Sequence, residues 1–257
     1  MAKSHQKTTV KGLRLFFFTC LTFTTITYWS QTTYYSKSTG NLNLTSTWGL
    51  NTDGTGSAPT NFTANNRIYI ITNRTTATIG GNWTVSGTNS KVQVGNSSTA
   101  INFTIPITVA LTGTVDVTNT ATLTLLNATI PTFGNLSTGS TVNYARAGNQ
   151  TVRNTVYYNL IISGSGIKSL ANTTSTSITN SLIINSGIMF GLNTSNTLSC
   201  TINGSVTGTG TIRGGNNSNL IINGAGNLGT LIFSTPMSLH KFSVNRTGAG
   251  SLTLVVT

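Results

Sequence analysis

The second half of the chain repeats a short pattern, in which an apolar, strand-like run ends in Ile or Val and is followed by a polar residue. The last apolar residues of these runs follow one another at intervals of 22, 18, 20 and 22 positions. They are Ile162, Ile184, Ile202, Ile222 and Val244, and Asn185, Asn203, Asn223 and Asn245 follow the last four. A recurrence at this spacing is typical of repeat architectures.

A period of about 20 residues fits one coil of a solenoid. A strand, a turn and a return path complete a coil, and coils stack about 4.8 Å apart. We therefore predict an all-β fold, a right-handed parallel β-helix with coils of about 20 residues. The five apolar residues are expected to be buried in one inner column. The four Asn residues are expected at equivalent bends, where their side chains can bond backbone groups.

The first half of the chain is less regular and leaves a β-sandwich open as the alternative. Residues 83–87, 91–95, 103–113 and 122–127 read as strands, and Pro106 interrupts one of them. Short strands at close intervals are also typical of a sandwich. The recurring Ile-Asn ending favours the solenoid.

The composition limits the chemistry that this chain can perform. It contains 52 Thr, 30 Asn, 27 Ser and 27 Gly, which together make 136 of its 257 residues. Its two carboxylates are Asp53 and Asp116, 63 positions apart. Glycosidases need a carboxylate pair, and structural zinc sites need four His and Cys ligands, of which only Cys200 and His240 lie after residue 30. The sequence therefore predicts no catalytic residue, no cofactor and no metal.

The first 30 residues resemble a secretory signal peptide. Four basic residues precede an apolar run over residues 15–29, and the small Ser30 follows it. We predict a signal peptide over residues 1–30 and no transmembrane span after its cleavage. Residues 31–62 contain Trp48 and Phe62 around a turn-rich stretch and are assigned to an N-terminal cap. Residues 63–257 are assigned to the solenoid repeats.

The charges and the cysteine of the remaining chain indicate no special partner. Ten Lys and Arg residues are scattered singly after residue 30, whereas nucleic-acid binding is typically marked by a basic cluster. Cys200 lies in an alternating strand pattern and is expected to be buried and inert. Residues 51–54, Asn-Thr-Asp-Gly, are interpreted as an ordinary turn, because a calcium loop gathers several carboxylates.

Several segments resemble one group of known proteins. They are YYSKSTGNLN (34–43), TWG (47–49), NTDGTG (51–56), IGGNWTVSG (79–87), STVNY (140–144), QTV (150–152) and YNLIISGSG (158–166). Over roughly residues 32–190 the chain resembles secreted, adhesin-like repeat proteins of Bacteroidota. The resemblance implies a secreted or cell-surface location and export by the type IX route. Many of these proteins end in a sorting domain, which is absent here, so the resemblance also implies a fragment of a longer protein.

The leading functional hypothesis is a non-enzymatic, extracellular β-solenoid that acts in adhesion or as a structural spacer. Extracellular polysaccharides or cell surfaces are its expected partners. The tyrosine pairs Tyr34–Tyr35 and Tyr157–Tyr158 are suited either to stacking on sugars or, as we favour, to packing.

Two alternative functions remain open. A polysaccharide-cleaving β-helix would use Arg146 and Arg153, although such enzymes generally need acidic residues as well. An ice-binding protein would display Thr pairs on every coil. Thr-x-Thr matches occur at 112–114, 118–124 and 207–211, but they do not recur at 20-residue spacing between residues 125 and 205.

The C-terminal segment is expected to form an exposed edge. Leu252, Leu254 and Val256 alternate with Thr253, Val255 and Thr257, and no charged residue follows Arg246. Uncharged, apolar edge strands pair readily with other chains. Self-association through this last coil is therefore predicted.

Overall fold

The fold is built almost entirely from short β-strands. The computed structural model describes residues 30–192, 197–235 and 237–257, and residues 31–257 form one compact unit. One 3-10 turn, Thr45–Thr47, interrupts the strands of the described part. The strands are β1 (Thr32–Ser36), β2 (Trp48–Gly49), β3 (Arg67–Ile71), β4 (Thr76–Thr78), β5 (Trp83–Thr84), β6 (Lys91–Val94), β7 (Asn102–Ile105), β8 (Leu111–Thr112), β9 (Thr114–Val117), β10 (Thr122–Leu125), β11 (Thr132–Leu136), β12 (Thr141–Tyr144), β13 (Gln150–Val152), β14 (Val156–Ile162), β15 (Ile167–Leu170), β16 (Thr176–Ile184), β17 (Met189–Gly191), β18 (Leu198–Ile202), β19 (Ser205–Thr207), β20 (Thr211–Arg213), β21 (Ser218–Ala225), β22 (Gly229–Phe233), β23 (Lys241–Thr247) and β24 (Leu252–Val256).

These strands stack as a parallel β-solenoid of about eight turns of roughly 22 residues. Among the described strand pairs, β1 with β2 is antiparallel and all others are parallel. The solenoid prediction is confirmed. The sandwich alternative is excluded, because sandwich sheets are built from antiparallel hairpins and meanders.

Each coil contributes strands to several sides of the stack. One side runs β1-β3-β6-β9-β11, a second runs β4-β7-β10-β12-β14-β16-β19, and a third runs β13-β15-β17-β20-β22. The spacing between registered residues varies, from 18 positions between Val142 and Leu160 to 35 between Thr32 and Arg67. Loops at the bends absorb this variation, so the strands stay in register while the period does not stay constant.

Alternation along the strands separates the core from the surface. The central residues of the second side are buried, and the residues before and after each of them point outwards. These buried residues are Ala77, Phe103, Leu123, Val142, Leu160, Leu182 and Val206. Thr suits the outward positions, because its β-branched side chain favours the extended backbone.

The segment predicted to be a cap contributes Trp48 to the core. Trp48 is fully buried and donates a hydrogen bond from Nε1 to the carbonyl oxygen of Leu42 at 2.8 Å. Its ring lies 5.5 Å from those of Tyr69 and Trp83, measured between centroids. These contacts form an aromatic cluster of Trp48, Tyr69 and Trp83.

Glycine is required where the chain turns tightly against the coil below. Gly208 has φ +91°, and a Cβ there would collide with the carbonyl oxygen of Ile184. A side chain would therefore push two coils apart at this bend.

The predicted signal peptide, residues 1–30, lies outside the described residues except for Ser30. No helix in the described part of the chain is long and apolar enough to cross a membrane.

Candidate binding face

The residues predicted to form one inner column belong to two columns. Ile184 lies beside Ile162 in the β14–β16 pair, whereas Ile202 lies beside Ile178, which is earlier in β16. The single-column prediction is therefore wrong. Strand β16 is long enough to serve two sides of its coil, and each half contains an isoleucine. An alignment on the Ile-Asn ending alone does not distinguish these two halves.

Burial follows the prediction for four of the five residues. Ile162, Ile184, Ile202 and Ile222 are at most 2% exposed, but Val244 is 47% exposed. Val244 continues the column of Ile222, with which it is registered. Its strand β23 has β21 on one side and no described strand on the other. The burial prediction for Val244 is wrong for this reason.

The four predicted Asn residues occupy two different bends. Asn223 is registered with Asn245, whose Nδ2 donates to Asn223 Oδ1 at 3.2 Å. Asn203 follows the β18 residue that pairs with β21 and so belongs to the same bend. Asn185 instead donates its backbone N–H to the carbonyl oxygen of Ile162 at 2.9 Å and follows the other column. The expectation of four equivalent bends is therefore correct for three of these residues.

The second side of the solenoid presents two outward rows of uncharged residues, which we call the two-row face. The rows flank the buried central column, and neighbouring strands are in register. The first row is Thr76, Asn102, Thr122, Thr141, Asn159, Ser181 and Ser205, and the second is Thr78, Thr104, Thr124, Asn143, Ile161, Ile183 and Thr207. These rows were not predicted from the sequence, either for this face or for any other described surface.

The sequence contains the signal for this face, but the variable period conceals it. Thr112 and Thr114 belong to different strands, so their Thr-x-Thr match is not a same-face pair. Thr122 and Thr124 do form such a pair. Their registered neighbours follow at unequal distances, and Asn replaces Thr in some of them. A search for two polar residues on either side of a single buried residue, with no fixed period imposed, would have identified the rows.

Hydrogen bonds between coils stiffen part of the face. Thr124 Oγ1 donates to Asn102 Oδ1 at 3.0 Å. Asn159 donates from Nδ2 to Thr141 Oγ1 at 3.3 Å, and its Oδ1 accepts from Ser181 Oγ at 2.9 Å. Amide side chains at bends and on outward positions thus tie successive coils together, as a ladder of stacked amides does.

Other hydroxyls on the face have no partner in the described structure. The hydroxyls of four threonines on this face make no hydrogen bond to any described residue, although the backbone groups of these residues pair within the sheet. The four are Thr76, Thr78, Thr104 and Thr122. They are exposed or half-buried. These hydroxyls are free to bond a ligand or water.

Asp116 is engaged in the fold. It is 7% exposed, its Oδ2 lies 2.7 Å from Lys91 Nζ, and its Oδ1 accepts the backbone N–H of Asn135 at 2.8 Å. Lys91 and Asp116 lie on neighbouring coils, in β6 and β9. This carboxylate therefore links three successive coils.

Asp53 stabilises the turn in which it lies. Its Oδ1 accepts hydrogen bonds from the backbone N–H and the hydroxyl of Thr55, at 2.9 and 2.7 Å. The hydrogen bonds from Thr55 lower the pKa of the Asp53 carboxyl. The turn interpretation of residues 51–54 agrees with this geometry. Within the described ranges, no group of three His, Cys, Asp or Glu side chains is placed to hold a metal ion.

Lys168 is a fully buried cation that sequence reasoning missed. Its Nζ donates to the carbonyl oxygens of Arg146, Gly148 and Ser165 at 2.6 to 2.7 Å. Burial, together with the charge of Arg146, lowers the pKa of the Lys168 ammonium to about 8. A lysine at an inward strand position gives no warning in the sequence, because lysine is rarely buried.

Of the first tyrosine pair, Tyr34 packs within the solenoid wall. Its ring stacks on that of Tyr69 with centroids 5.6 Å apart and an interplanar angle of 13°. Tyr35 is half-buried on the same strand. Packing thus accounts for Tyr34, as the sequence interpretation favoured.

The second pair is split between core and surface. Tyr157 is fully buried, and its hydroxyl lies 2.9 Å from that of Tyr144 and donates to the carbonyl oxygen of Arg153 at 2.6 Å. Burial raises the pKa of Tyr144 to about 12 and that of Tyr157 well above its ordinary value. Tyr158 is half-buried. Tyr157 is therefore a core residue and is not accessible for stacking on a sugar.

Cys200 is buried, as predicted. It is 1% exposed, and burial raises the pKa of its thiol to about 12. A thiol that stays protonated is a poor nucleophile.

The last two strands form an apolar edge. Phe242, Leu254 and Val256 are 38 to 58% exposed. Together with Phe233 and Met237 they line a groove of about 400 Å³. This groove lies where the sequence predicts an exposed, uncharged edge.

Searches of protein-family models, curated proteins and solved structures find no match to this chain.

Proposed function

We propose that this protein is a non-enzymatic, extracellular or cell-surface β-solenoid that acts in adhesion or as a structural spacer. The secretory-type N-terminus and the resemblance to secreted, adhesin-like proteins of Bacteroidota support its location and its general role. Extracellular polysaccharides and cell surfaces are its proposed partners, and type IX export is the proposed route.

The observation that carries the proposal is the use of both carboxylates in holding the fold. Asp116 is paired with Lys91, and Asp53 closes a turn onto Thr55. General acid-base catalysis needs a group that is free to reach a reacting atom. The structural roles of these two side chains favour a scaffold over an enzyme.

The arginines that a lyase would use are also bonded to the backbone. Arg146 donates from Nη1 to the carbonyl oxygen of Asn149 at 2.6 Å, and Arg153 donates from Nη2 to that of Ile130 at 2.9 Å. These contacts favour a role in fixing bends. A polysaccharide-binding or polysaccharide-cleaving protein nevertheless stays as the alternative.

The spacer role is supported by the way the coils join. Parallel pairing joins successive coils up to β24, and one cluster of buried apolar residues extends from Leu42 to Phe233. Quasi-one-dimensional stacks of this kind hold their two ends apart without a flexible hinge.

The proposal is tested with beads that carry the purified protein. We expect the beads to be retained on insoluble polysaccharides or on cell surfaces, and beads carrying the unfolded protein to wash off. The same polysaccharides are incubated with free protein and calcium, and soluble sugar products are measured. Release of products would refute the non-enzymatic role, and equal retention of folded and unfolded beads would refute adhesion.

A further inference from the structure

We propose that the two-row face binds ice, through the oxygen lattice of the crystal surface. This goes beyond a role in adhesion or as a spacer, and it rests on the charge, the spacing and the free hydroxyls of this face.

The face is electrically neutral over its whole length. None of its fourteen residues is charged, from Thr76 and Thr78 to Ser205 and Thr207. Arg74 lies just before the first row but directs its guanidinium to the carbonyl oxygens of Lys37 and Gly40. Anionic polymers and ions are attracted by charged surfaces. The partner of this face is therefore neutral.

The face is also periodic in two directions. Its strands are about 4.8 Å apart, and alternate residues along a strand are roughly 6.6 Å apart. The register shift between β14 and β16 lies between Tyr157 and Asn159, so Asn159 is still paired with Ser181. A partner that meets all seven strands must itself be periodic.

The chemistry of the rows favours water over sugar rings. Carbohydrates are commonly held by stacking on aromatic side chains. The two rows contain no aromatic residue. They offer instead unbonded Thr hydroxyls, at Thr76, Thr78, Thr104 and Thr122, each beside a methyl group. Ice is a neutral, periodic array of hydrogen-bond donors and acceptors with lattice repeats of the same order as these spacings.

The rows are organised before any ligand arrives. Thr has few χ1 rotamers, and the Thr124–Asn102 and Asn159–Ser181 hydrogen bonds hold neighbouring coils in place. Preorganisation lowers the entropy cost of binding a rigid surface.

The experiment measures thermal hysteresis and ice-crystal shape with the purified protein. The test variant is Thr104→Lys, which places a long, charged side chain in the second row between Thr78 and Thr124. The matched control is Thr151→Lys, on the exposed outward position of β13 on a different side of the solenoid. We expect the wild type and Thr151→Lys to shape ice and Thr104→Lys to lose this activity, with circular dichroism unchanged.

Each other outcome overturns the proposal. If Thr104→Lys does not fold, Thr78→Lys at the exposed start of the same row replaces it. Absence of hysteresis in the wild type would exclude ice binding. Equal loss in Thr104→Lys and Thr151→Lys would exclude this face. Retention on crystalline polysaccharide that Thr104→Lys abolishes, without any effect on ice, would assign the face to a polysaccharide instead.

Discussion

Thr104 of β7 lies beside Thr124 of β10 in the parallel register, and both side chains point away from the buried Phe103 and Leu123. The two residues are adjacent because their strands pair across a coil of 20 residues. Similar neighbours arise elsewhere across longer or shorter coils. The solenoid thereby builds an ordered surface from an irregular sequence.

Core truncation should cost far more in the inner column than at its exposed end. We expect Ile222→Ala to lower the free energy of unfolding by about 2–5 kcal/mol, because it leaves a cavity among buried side chains. Val244→Ala, in the same column but half exposed, should cost about 1 kcal/mol or less. Chemical denaturation of both variants measures the difference. Equal losses would contradict the burial described for this column.

Lys168 should contribute to stability in a pH-dependent way. Lys168→Met leaves three buried carbonyl oxygens without their donor, and we expect a loss of about 1–3 kcal/mol. Because the folded-state pKa is lowered from 10.5 to about 8, the unfolded chain binds more protons between these values. Stability contributed by this group should therefore rise with pH from about 8 to 10.5 and fall as the pH drops through 8.

Denaturation of the wild type and of Lys168→Met at several pH values tests this sign. Lys241→Met is the matched control, because Lys241 is exposed. A difference between wild type and Lys168→Met that shrinks as the pH rises above 8 would contradict the lowered pKa.

The Cys200 thiol should not react while the protein is folded. Burial raises its pKa to about 12, so raising the pH from about 7 to 9 should not release thiolate in the native state. Labelling with a thiol reagent, with and without denaturant, measures this. Native labelling as fast as labelling of the denatured chain would show that Cys200 is accessible.

The apolar edge of β23 and β24 should drive association with a second copy of the chain. Leu254 and Val256 are 51 and 58% exposed, and β22 is the one described strand that pairs with β24, so the other edge of β24 is open in the described structure. We expect Leu254→Lys with Val256→Lys to reduce association measured by light scattering, without changing the β-type circular dichroism. A monomeric wild type at high concentration would refute this prediction.

The strand positions and most of the core were predictable from the sequence. Alternation around Ile162 and Ile222 identifies buried positions, because apolar residues at every second position mark one face of a strand. The division of β16 between two sides was missed, because an alignment on the Ile-Asn ending selects Ile184 and passes over Ile178, which precedes the polar residues 179–181 of the same strand. The burial of Lys168 was equally hidden, because two of its three carbonyl partners, Arg146 and Gly148, lie 22 and 20 positions away in sequence.

The two-row face was predictable from the sequence only in part. Its residues are typical strand residues, but their register depends on loop lengths that no repeat fixes. Thr78 and Thr104 are neighbours across 26 positions, whereas Thr141 and Asn159 are neighbours across 18. Only the pairing of the strands reveals that these residues share a face.

The register itself is tested most directly by cysteine cross-linking in a Cys200→Ala background. Strands about 4.8 Å apart fall within the Cα separations that disulfides span. We expect Ile161→Cys with Ile183→Cys to form a disulfide, because these residues are registered. We expect none between Ile183→Cys and Thr201→Cys, the pair that a single-column alignment would bring together. A disulfide between residues 183 and 201, without one between residues 161 and 183, would contradict the two-column solenoid and the face built on it.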